Sequence, residues 1–165
     1  VKLEGGEQMA ETVAFLNQRG IPVMGHIGLT PQSVHQFGGY KVQGKNYLDS
    51  RQIRQDARDL QNAGIFAVVM EGIPGELAEE ITAELKIPTI GIGAGLKCDG
   101  QILVLHDLLG LTQDFVPKFV KQYAQLADIL KSAVSEYIQE VRTETFPGQE
   151  HTYHSKQGIL KQVND

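Results

Sequence analysis

The segment Ile65–Glu71, which reads IFAVVME, decides how the rest of the sequence is interpreted. Six consecutive apolar residues leave no polar face for water, so a strand here would be buried on both sides. Such strands are typical of parallel sheets that are covered by helices. The carboxylate of Glu71 follows at the carboxyl end of the strand, where α/β folds place their functional groups.

Strand and helix signals alternate along the chain on both sides of this segment. The predicted strands are residues 1–4, 21–24, 65–70, 88–92 and 101–105, and the predicted helices are residues 7–19, 49–62, 75–86 and 117–143. We expect Asp49 or Ser50 to cap the second helix. Such alternation indicates parallel strands joined by right-handed crossovers. We therefore predict one α/β domain over residues 1–148 and a polar tail over residues 149–165.

Two architectures fit this alternation: an open, doubly wound sheet and part of a (β/α)8 barrel. A complete barrel needs about 250 residues, and this chain has 165. Five strands in that length match the second half of a barrel. The chain also begins at Val1, inside a predicted strand, from which we expect that an earlier part of a larger protein is missing.

Composition and charge exclude several classes of protein. The formal net charge is -5 and no segment concentrates Lys or Arg, so we expect no nucleic-acid partner. The apolar runs are far shorter than the ~20 residues of a membrane helix, and we expect no secretory signal. The single cysteine, Cys98, has no partner for an internal disulfide, which favours a reducing compartment.

Side chains that could take part in catalysis or binding stand at the ends of several predicted strands. Lys2 and Glu4 belong to the end of the first, His26 follows the second and Glu71 follows the third. The fifth predicted strand ends at His106–Asp107. Because the carboxyl ends of parallel strands meet at one edge of a sheet, the Lys, two Glu and His at the first three strand ends indicate a functional site.

Each of these residues has a second interpretation. The partly desolvated carboxylate of Glu71 suits a general base, but it could instead cap the next helix. Glu4 could be a ligand of a hard ion such as Mg2+, although an ion pair with Lys2 is favoured. Lys2 could instead hold a substrate carboxylate. His26 could donate to a substrate oxygen, although a hydrogen bond with the backbone is more common.

The remaining motifs carry weaker signals. Gly91–Gly95 reads GIGAG and matches a dinucleotide-binding fingerprint poorly. Cys98 has no His or Cys at motif spacing, so we interpret it as a bystander. The Tyr and Phe residues of the predicted helix 117–143 are interpreted as core packing. No zinc cluster is expected from the other histidines, which are His35, His106, His151 and His154.

Several stretches together resemble the ketopantoate hydroxymethyltransferase family, also called 3-methyl-2-oxobutanoate hydroxymethyltransferases, of pantothenate synthesis. The matching stretches, in order, are VKLEGG (1–6), GHIGLTPQS (25–33), VMEGIP (69–74), IGIGAG (90–95), CDGQILV (98–104), DLLG (107–110) and FPGQEHTYH (146–154). The resemblance covers about nine tenths of the chain. It implies an α/β fold, a (β/α)8 TIM barrel of the phosphoenolpyruvate/pyruvate type, of which this chain supplies the later strands and helices.

The resemblance also implies roles for the residues at the predicted strand ends. Glu71 would be the general base, Lys2 and His26 would bind substrate, and Glu4 would belong to a Mg2+ site. Two Asp residues and a Ser that the family carries on earlier strands have no counterpart here, so the chain as given is expected to be incomplete for activity.

The implied reaction transfers a hydroxymethyl group from 5,10-methylenetetrahydrofolate to 3-methyl-2-oxobutanoate and gives 2-dehydropantoate, by Mg2+-assisted enolisation. The resemblance further implies a homo-oligomer, typically a decamer, and we expect a cytoplasmic protein with no membrane partner. Two alternatives stay open. One is a related barrel lyase or mutase that acts on an oxo acid without folate, and the other is a non-enzymatic α/β binding module.

Overall fold

The computed structural model describes residues 1–33 and 39–155, and within them it shows a five-stranded, fully parallel sheet. Its strands are β1 (Lys2–Glu4), β2 (Met24–Gly28), β3 (Ala67–Glu71), β4 (Thr89–Ile92) and β5 (Gly100–Gln101). They lie side by side in chain order, from β1 to β5. The alternation predicted from the sequence is therefore confirmed as an α/β fold.

Helices connect and follow these strands. The α-helices are α1 (Ala10–Asn17), α2 (Tyr47–Ala63), α3 (Gly75–Glu84), α4 (Leu105–Leu108) and α5 (Leu126–Arg142), with short 3-10 turns at Glu7–Met9, Pro31–Ser33 and Gln149–His151. None of the helices in the described ranges is long and apolar enough to cross a membrane.

Within the described residues, the main hydrophobic cluster lies on one face of the sheet. Helices α1, α2 and α3 pack side by side there. They bury their apolar stripes against alternate strand residues, among them Ile27, Val68 and Met70. The intervening strand residues, such as His26 and Val69, point to the opposite face. A doubly wound sheet has a reversal in strand order, whereas the strands of the described sheet follow one another in chain order.

Strand β2 lies further along the chain than the sequence predicts. We expected residues 21–24, but the strand runs from Met24 to Gly28, so His26 lies inside it rather than after it. The reason is Gly25, which weakens the strand signal. A Cβ at this position would come within 3.0 Å of Ile65 and 3.2 Å of Leu60. Glycine therefore allows the helical layer to approach the strand closely.

Helix α2 begins earlier than predicted. The side chain of Asn46, rather than Asp49 or Ser50, forms the N-cap, and its Oδ1 accepts from the backbone amide of Asp49 at 2.9 Å. The helix ends at Gly64, whose φ of 99° is the left-handed conformation that glycine adopts without strain. Between these caps, the buried stripe faces the sheet.

The predicted fifth strand is much shorter than expected. Its register with β4 covers only two residues, Gly100 opposite Ile90 and Gln101 opposite Gly91, and one further bond runs from the amide of Ile102 to the carbonyl of Gly91 at 3.0 Å. The chain then forms α4, and His106 and Asp107 lie on this helix rather than at a strand end. Their predicted place at the end of a strand is therefore wrong.

The long C-terminal helix was predicted to begin at residue 117, but α5 begins at Leu126. Amides that would belong to its first turns bond elsewhere, since Tyr123 and Leu126 donate to the carbonyls of Leu108 and Leu109. The predicted core packing is also wrong. Tyr123 is 67% exposed and Tyr137 53%, because the apolar stripe of α5 does not face the sheet.

A side-chain network ties β4 to the start of β5. The carboxylate of Asp99 accepts from the amide of Thr89 at 2.8 Å and from its hydroxyl at 3.0 Å. These two bonds, the amide first, lower the pKa of the Asp99 carboxyl from its ordinary value. The folded state therefore stays ionised to a lower pH than the unfolded chain does.

This shift predicts how stability depends on pH. Because the folded pKa is lowered, the contribution of Asp99 is fully present above the unfolded pKa, near 3.8. It is lost as the pH falls through the lower, folded value. We expect Asp99→Asn to make thermal unfolding of the intact protein less sensitive to pH between about 5 and about 3. Asp114→Asn, at an exposed position, is the matched control, and equal acid sensitivity in both variants would contradict the prediction.

Candidate functional site

The sheet register brings four of the predicted residues together on the face that the helices leave free. Glu4 of β1 stands opposite His26 of β2, and Gly28 of β2 stands opposite Glu71 of β3. Because side chains alternate along a strand, Lys2, Glu4, His26 and Glu71 all point to this face. They form the candidate site.

His26 lies between the two carboxylates. Its Nδ1 is 3.4 Å from Oε1 of Glu4, and its Nε2 is 3.2 Å from Oε2 of Glu71. The imidazole side chain is 1% exposed, and the carboxylate side chains are 13% and 15% exposed. Both ring contacts are close enough for ion pairs, yet neither is aligned as a hydrogen bond. The ring nitrogens therefore face carboxylates and not the backbone group that the alternative interpretation of His26 required.

The two alternatives for Glu71 are separated by the start of helix α3. The N-cap of that helix is Pro74, and no side chain caps it by a hydrogen bond. The Glu71 side chain faces His26 instead. The helix-capping interpretation of Glu71 is wrong, and its carboxylate is available to the open face of the sheet.

Glu4 has partners at both carboxylate oxygens. Oε1 is 3.9 Å from Nζ of Lys2, so the ion pair favoured from the sequence is present, and the same oxygen faces His26. Oε2 accepts from the backbone amide of Gln32 at 3.0 Å. This bond fastens the 3-10 turn Pro31–Ser33 above the end of β1. The contact of Gln32 could not be predicted from the sequence, because a backbone amide leaves no side-chain signature.

Gly28 holds the backbone of β2 close to that of β3 beside Glu71. Its φ is 88°, and a Cβ there would lie near the Glu71 carbonyl oxygen, a contact too short to exist. The next residue, Leu29, donates its amide to that same carbonyl at 2.8 Å. The last residue of β3 is thus fixed by the chain that leaves β2.

The glycines of Gly91–Gly95 serve close packing in this structure. A Cβ on Gly95 would lie 2.8 Å from the Cα of Gly75, at the start of α3, and a Cβ on Gly93 would meet the ring of Phe119 at 2.6 Å. The segment therefore lies against protein atoms at both glycines. These contacts explain why glycine occurs here without invoking a nucleotide.

The other candidate residues lie apart from the site. Burial raises the pKa of the Cys98 thiol, and the adjacent Asp99 charge raises it further, so a reactive thiolate is disfavoured. His151 lies 3.4 Å from Glu150 near the end of the described chain, and His35 falls outside the described residues. Within residues 1–33 and 39–155, no group of three or more His, Cys, Asp or Glu is arranged to hold a metal ion.

A cavity that the sequence did not reveal lies beside the site, on the helical side of the sheet. Its volume is about 240 Å3, and it opens between the Glu7–Met9 turn and helix α2. Gly5, Gly6 and Gly28 line it, and Asp49 and Asp56 contribute carboxylates to its wall.

Comparison with known proteins identifies the family. The profile described as ketopantoate hydroxymethyltransferase matches residues 1–149. The 3-methyl-2-oxobutanoate hydroxymethyltransferase of Syntrophotalea carbinolica is 59% identical over 153 residues, which are 93% of this chain and 57% of that protein. The corresponding protein of Paracoccus denitrificans is 60% identical, over 93% of this chain and 55% of its own length.

A third relative, of the same name, comes from Carboxydothermus hydrogenoformans. It is 52% identical over 99% of this chain and 59% of its own length. The chain thus spans somewhat more than half the length of the curated relatives that it matches. Since the family profile covers nearly the whole chain, this chain belongs to the ketopantoate hydroxymethyltransferase family.

Proposed function

We propose that the protein containing this chain transfers a hydroxymethyl group to 3-methyl-2-oxobutanoate, with 5,10-methylenetetrahydrofolate as the one-carbon donor, and forms 2-dehydropantoate. The observation that carries the proposal is the partly buried Glu71 carboxylate on the open face of the sheet, beside His26 and Glu4. Family membership and the names of the relatives support the substrate.

The chain's residues supply a base and a positive charge for this reaction. The Glu71 carboxylate takes the proton from C3 of the keto acid, and the electrons of that C–H bond become the enolate. The enolate carbon then forms the new C–C bond to the methylene carbon of the donor. Both C–N bonds of that carbon break, a water molecule supplies the hydroxyl group of the product, and tetrahydrofolate leaves with the proton from C3 and the second proton of the water. Lys2, whose side chain is 45% exposed on the same face, stabilises the negative charge of the oxo acid. His26, beneath them, helps to position the substrate.

The proposed Mg2+ site was tested against the residues present. Mg2+ is usually bound by one or two carboxylates, with waters and substrate oxygens completing its shell. Glu4 offers a partly buried carboxylate close to the base, so the site fits as one part of such a shell. When bound, Mg2+ would polarise the keto group and so acidify C3. We assign Glu4 to this site, directly or through a water ligand.

We also propose the larger assembly that the resemblance implies. The one-sided helical layer and the in-order strands support a (β/α)8 barrel of the phosphoenolpyruvate/pyruvate type, with residues 1–148 in the barrel domain and 149–165 as a tail. A homo-oligomer, as a decamer, would cover the apolar residues that α5 exposes. These are Ile129, Leu130, Val134, Tyr137, Ile138 and Val141. The lone Cys98 supports a cytoplasmic location.

A folate-dependence assay tests the proposed function. The intact protein is incubated with Mg2+ and 3-methyl-2-oxobutanoate, with and without 5,10-methylenetetrahydrofolate, and products are followed by mass spectrometry. We expect 2-dehydropantoate only when the folate is present. A product formed without folate would favour the lyase or mutase alternative. Binding of the oxo acid without any turnover would favour the binding module.

A further inference from the structure

We propose that His26 is a positioning residue that holds two carboxylates separately, Glu71 through Nε2 and Glu4 through Nδ1. One buried ring would then orient both the base and the carboxylate assigned to the metal. The inference rests on the proposed function for the roles of those two carboxylates. It specifies that His26 acts on substrate through its neighbours.

The position of His26 in the sheet favours this role. Strand β2 lies between β1 and β3, so a side chain at its centre reaches a neighbour on each side. Glu4 is the register partner of His26, and Glu71 lies two residues beyond its partner on β3, Val69. The ring therefore spans three strands and contacts an acidic side chain on each flank, at 3.4 Å and 3.2 Å.

The ring has little freedom to turn elsewhere. The His26 side chain is 1% exposed. The backbone of His26 is held by the pairing of β2 with its neighbours and by a bond from the amide of Gly5 to the His26 carbonyl at 3.0 Å. Both nitrogens lack an aligned hydrogen-bond partner within the described residues. Buried polar atoms are rarely left in that state unless nearby groups use them. The carboxylates are the groups within reach, and the ring that lies between them keeps their like charges apart.

The two ring nitrogens can be separated by substitution. A Gln amide at position 26 reaches roughly where Nε2 stands, so His26→Gln keeps a polar group that faces Glu71 and removes the one that faces Glu4. An Asn amide is shorter and reaches roughly where Nδ1 stands, so His26→Asn does the reverse. Opposite effects from two similar amides would distinguish positioning from a general loss of packing.

The experiment uses the intact protein and two separate readouts. Affinity for Mn2+, as a probe for the Mg2+ site, is measured from the electron paramagnetic resonance signal of the free ion. Deuterium exchange at C3 of 3-methyl-2-oxobutanoate is followed by NMR at saturating Mn2+. Loss of a group that orients a metal ligand or a catalytic group costs about 10- to 100-fold.

We expect His26→Gln to weaken Mn2+ binding about 10-fold or more and to keep exchange within about threefold. We expect His26→Asn to keep Mn2+ binding within about threefold and to slow exchange about 10- to 100-fold. His106→Gln, at an exposed position on α4, should change neither. If one amide variant does not fold, the pattern in the other still decides, because each has its own expected combination.

Equal losses of both properties in the two variants, or no loss in either, would overturn the inference. A wild-type protein that binds no Mn2+ would overturn the Glu4 half of it. A wild-type protein that binds Mn2+ but exchanges no C3 proton would refute the proposed reaction instead. In that case the contrast in Mn2+ affinity between the two variants still decides the role of His26 toward Glu4.

Discussion

Glu71→Gln should slow deuterium exchange at C3 of 3-methyl-2-oxobutanoate by about 10²- to 10⁴-fold, the contribution expected of a general base. The amide has the size of the carboxylate and can still face Nε2 of His26, which lies 3.2 Å from Oε2 in the wild-type chain. It cannot accept the proton. Binding of the keto acid should therefore survive while exchange does not.

The measurement is the loss of the C3 proton signal in D2O, with Mg2+ present, together with calorimetric binding of the keto acid. The matched control is Glu76→Gln, an exposed carboxylate in the first turn of α3, which should exchange like the wild-type protein. Unchanged exchange in Glu71→Gln would remove the base from this residue. Loss of both exchange and binding would show that the carboxylate holds substrate rather than deprotonating it.

Gly28→Ala should be strongly destabilising. A left-handed φ of 88° is unfavourable for alanine, and the added Cβ would collide with the Glu71 carbonyl oxygen and lie 2.7 Å from Ile73. Strain and overpacking together are expected to cost about 2 to 5 kcal/mol in the free energy of unfolding. Relief of the collision would move the end of β3, so exchange at C3 should also fall.

Gly20→Ala provides the control, because Gly20 has a similar φ of 74° with nothing within 4 Å of its added Cβ. Gly20→Ala should lose only about 1 to 2 kcal/mol of the free energy of unfolding, the cost of a left-handed φ for alanine. Chemical denaturation of the two variants gives the comparison. If Gly28→Ala is no less stable than Gly20→Ala, the contact between β2 and Glu71 is not rigid.

The sequence predicted the features that are local in origin. Strand β3 is apolar up to its last residue, so its burial and the carboxylate of Glu71 at its end could be recognised without knowledge of the fold. The shared face of Lys2 and Glu4 follows from their spacing in a strand. The rule that functional residues follow the strands then predicted His26 and Glu71 in the same site. It placed His26 after the end of its strand, whereas His26 lies at the centre of β2.

The features that depend on tertiary contacts could not be predicted. Gly25 weakens the sequence signal of strand β2, and the reason for a glycine there is the close packing of Leu60 and Ile65 against the strand. The apolar periodicity of α5 indicates an amphipathic helix but says nothing about whether a partner covers it. The bond from Gln32 to Glu4 depends on a backbone amide that the turn alone positions.

The alternation of side chains along each strand divides two kinds of work between adjacent positions. In β3, Val68 and Met70 are fully buried against the helices, while Glu71 faces the open side. Selection for cellular abundance and selection for turnover can therefore act on neighbouring codons almost independently. A lineage could acquire a new reaction on one side of the strand while inheriting its scaffold intact on the other.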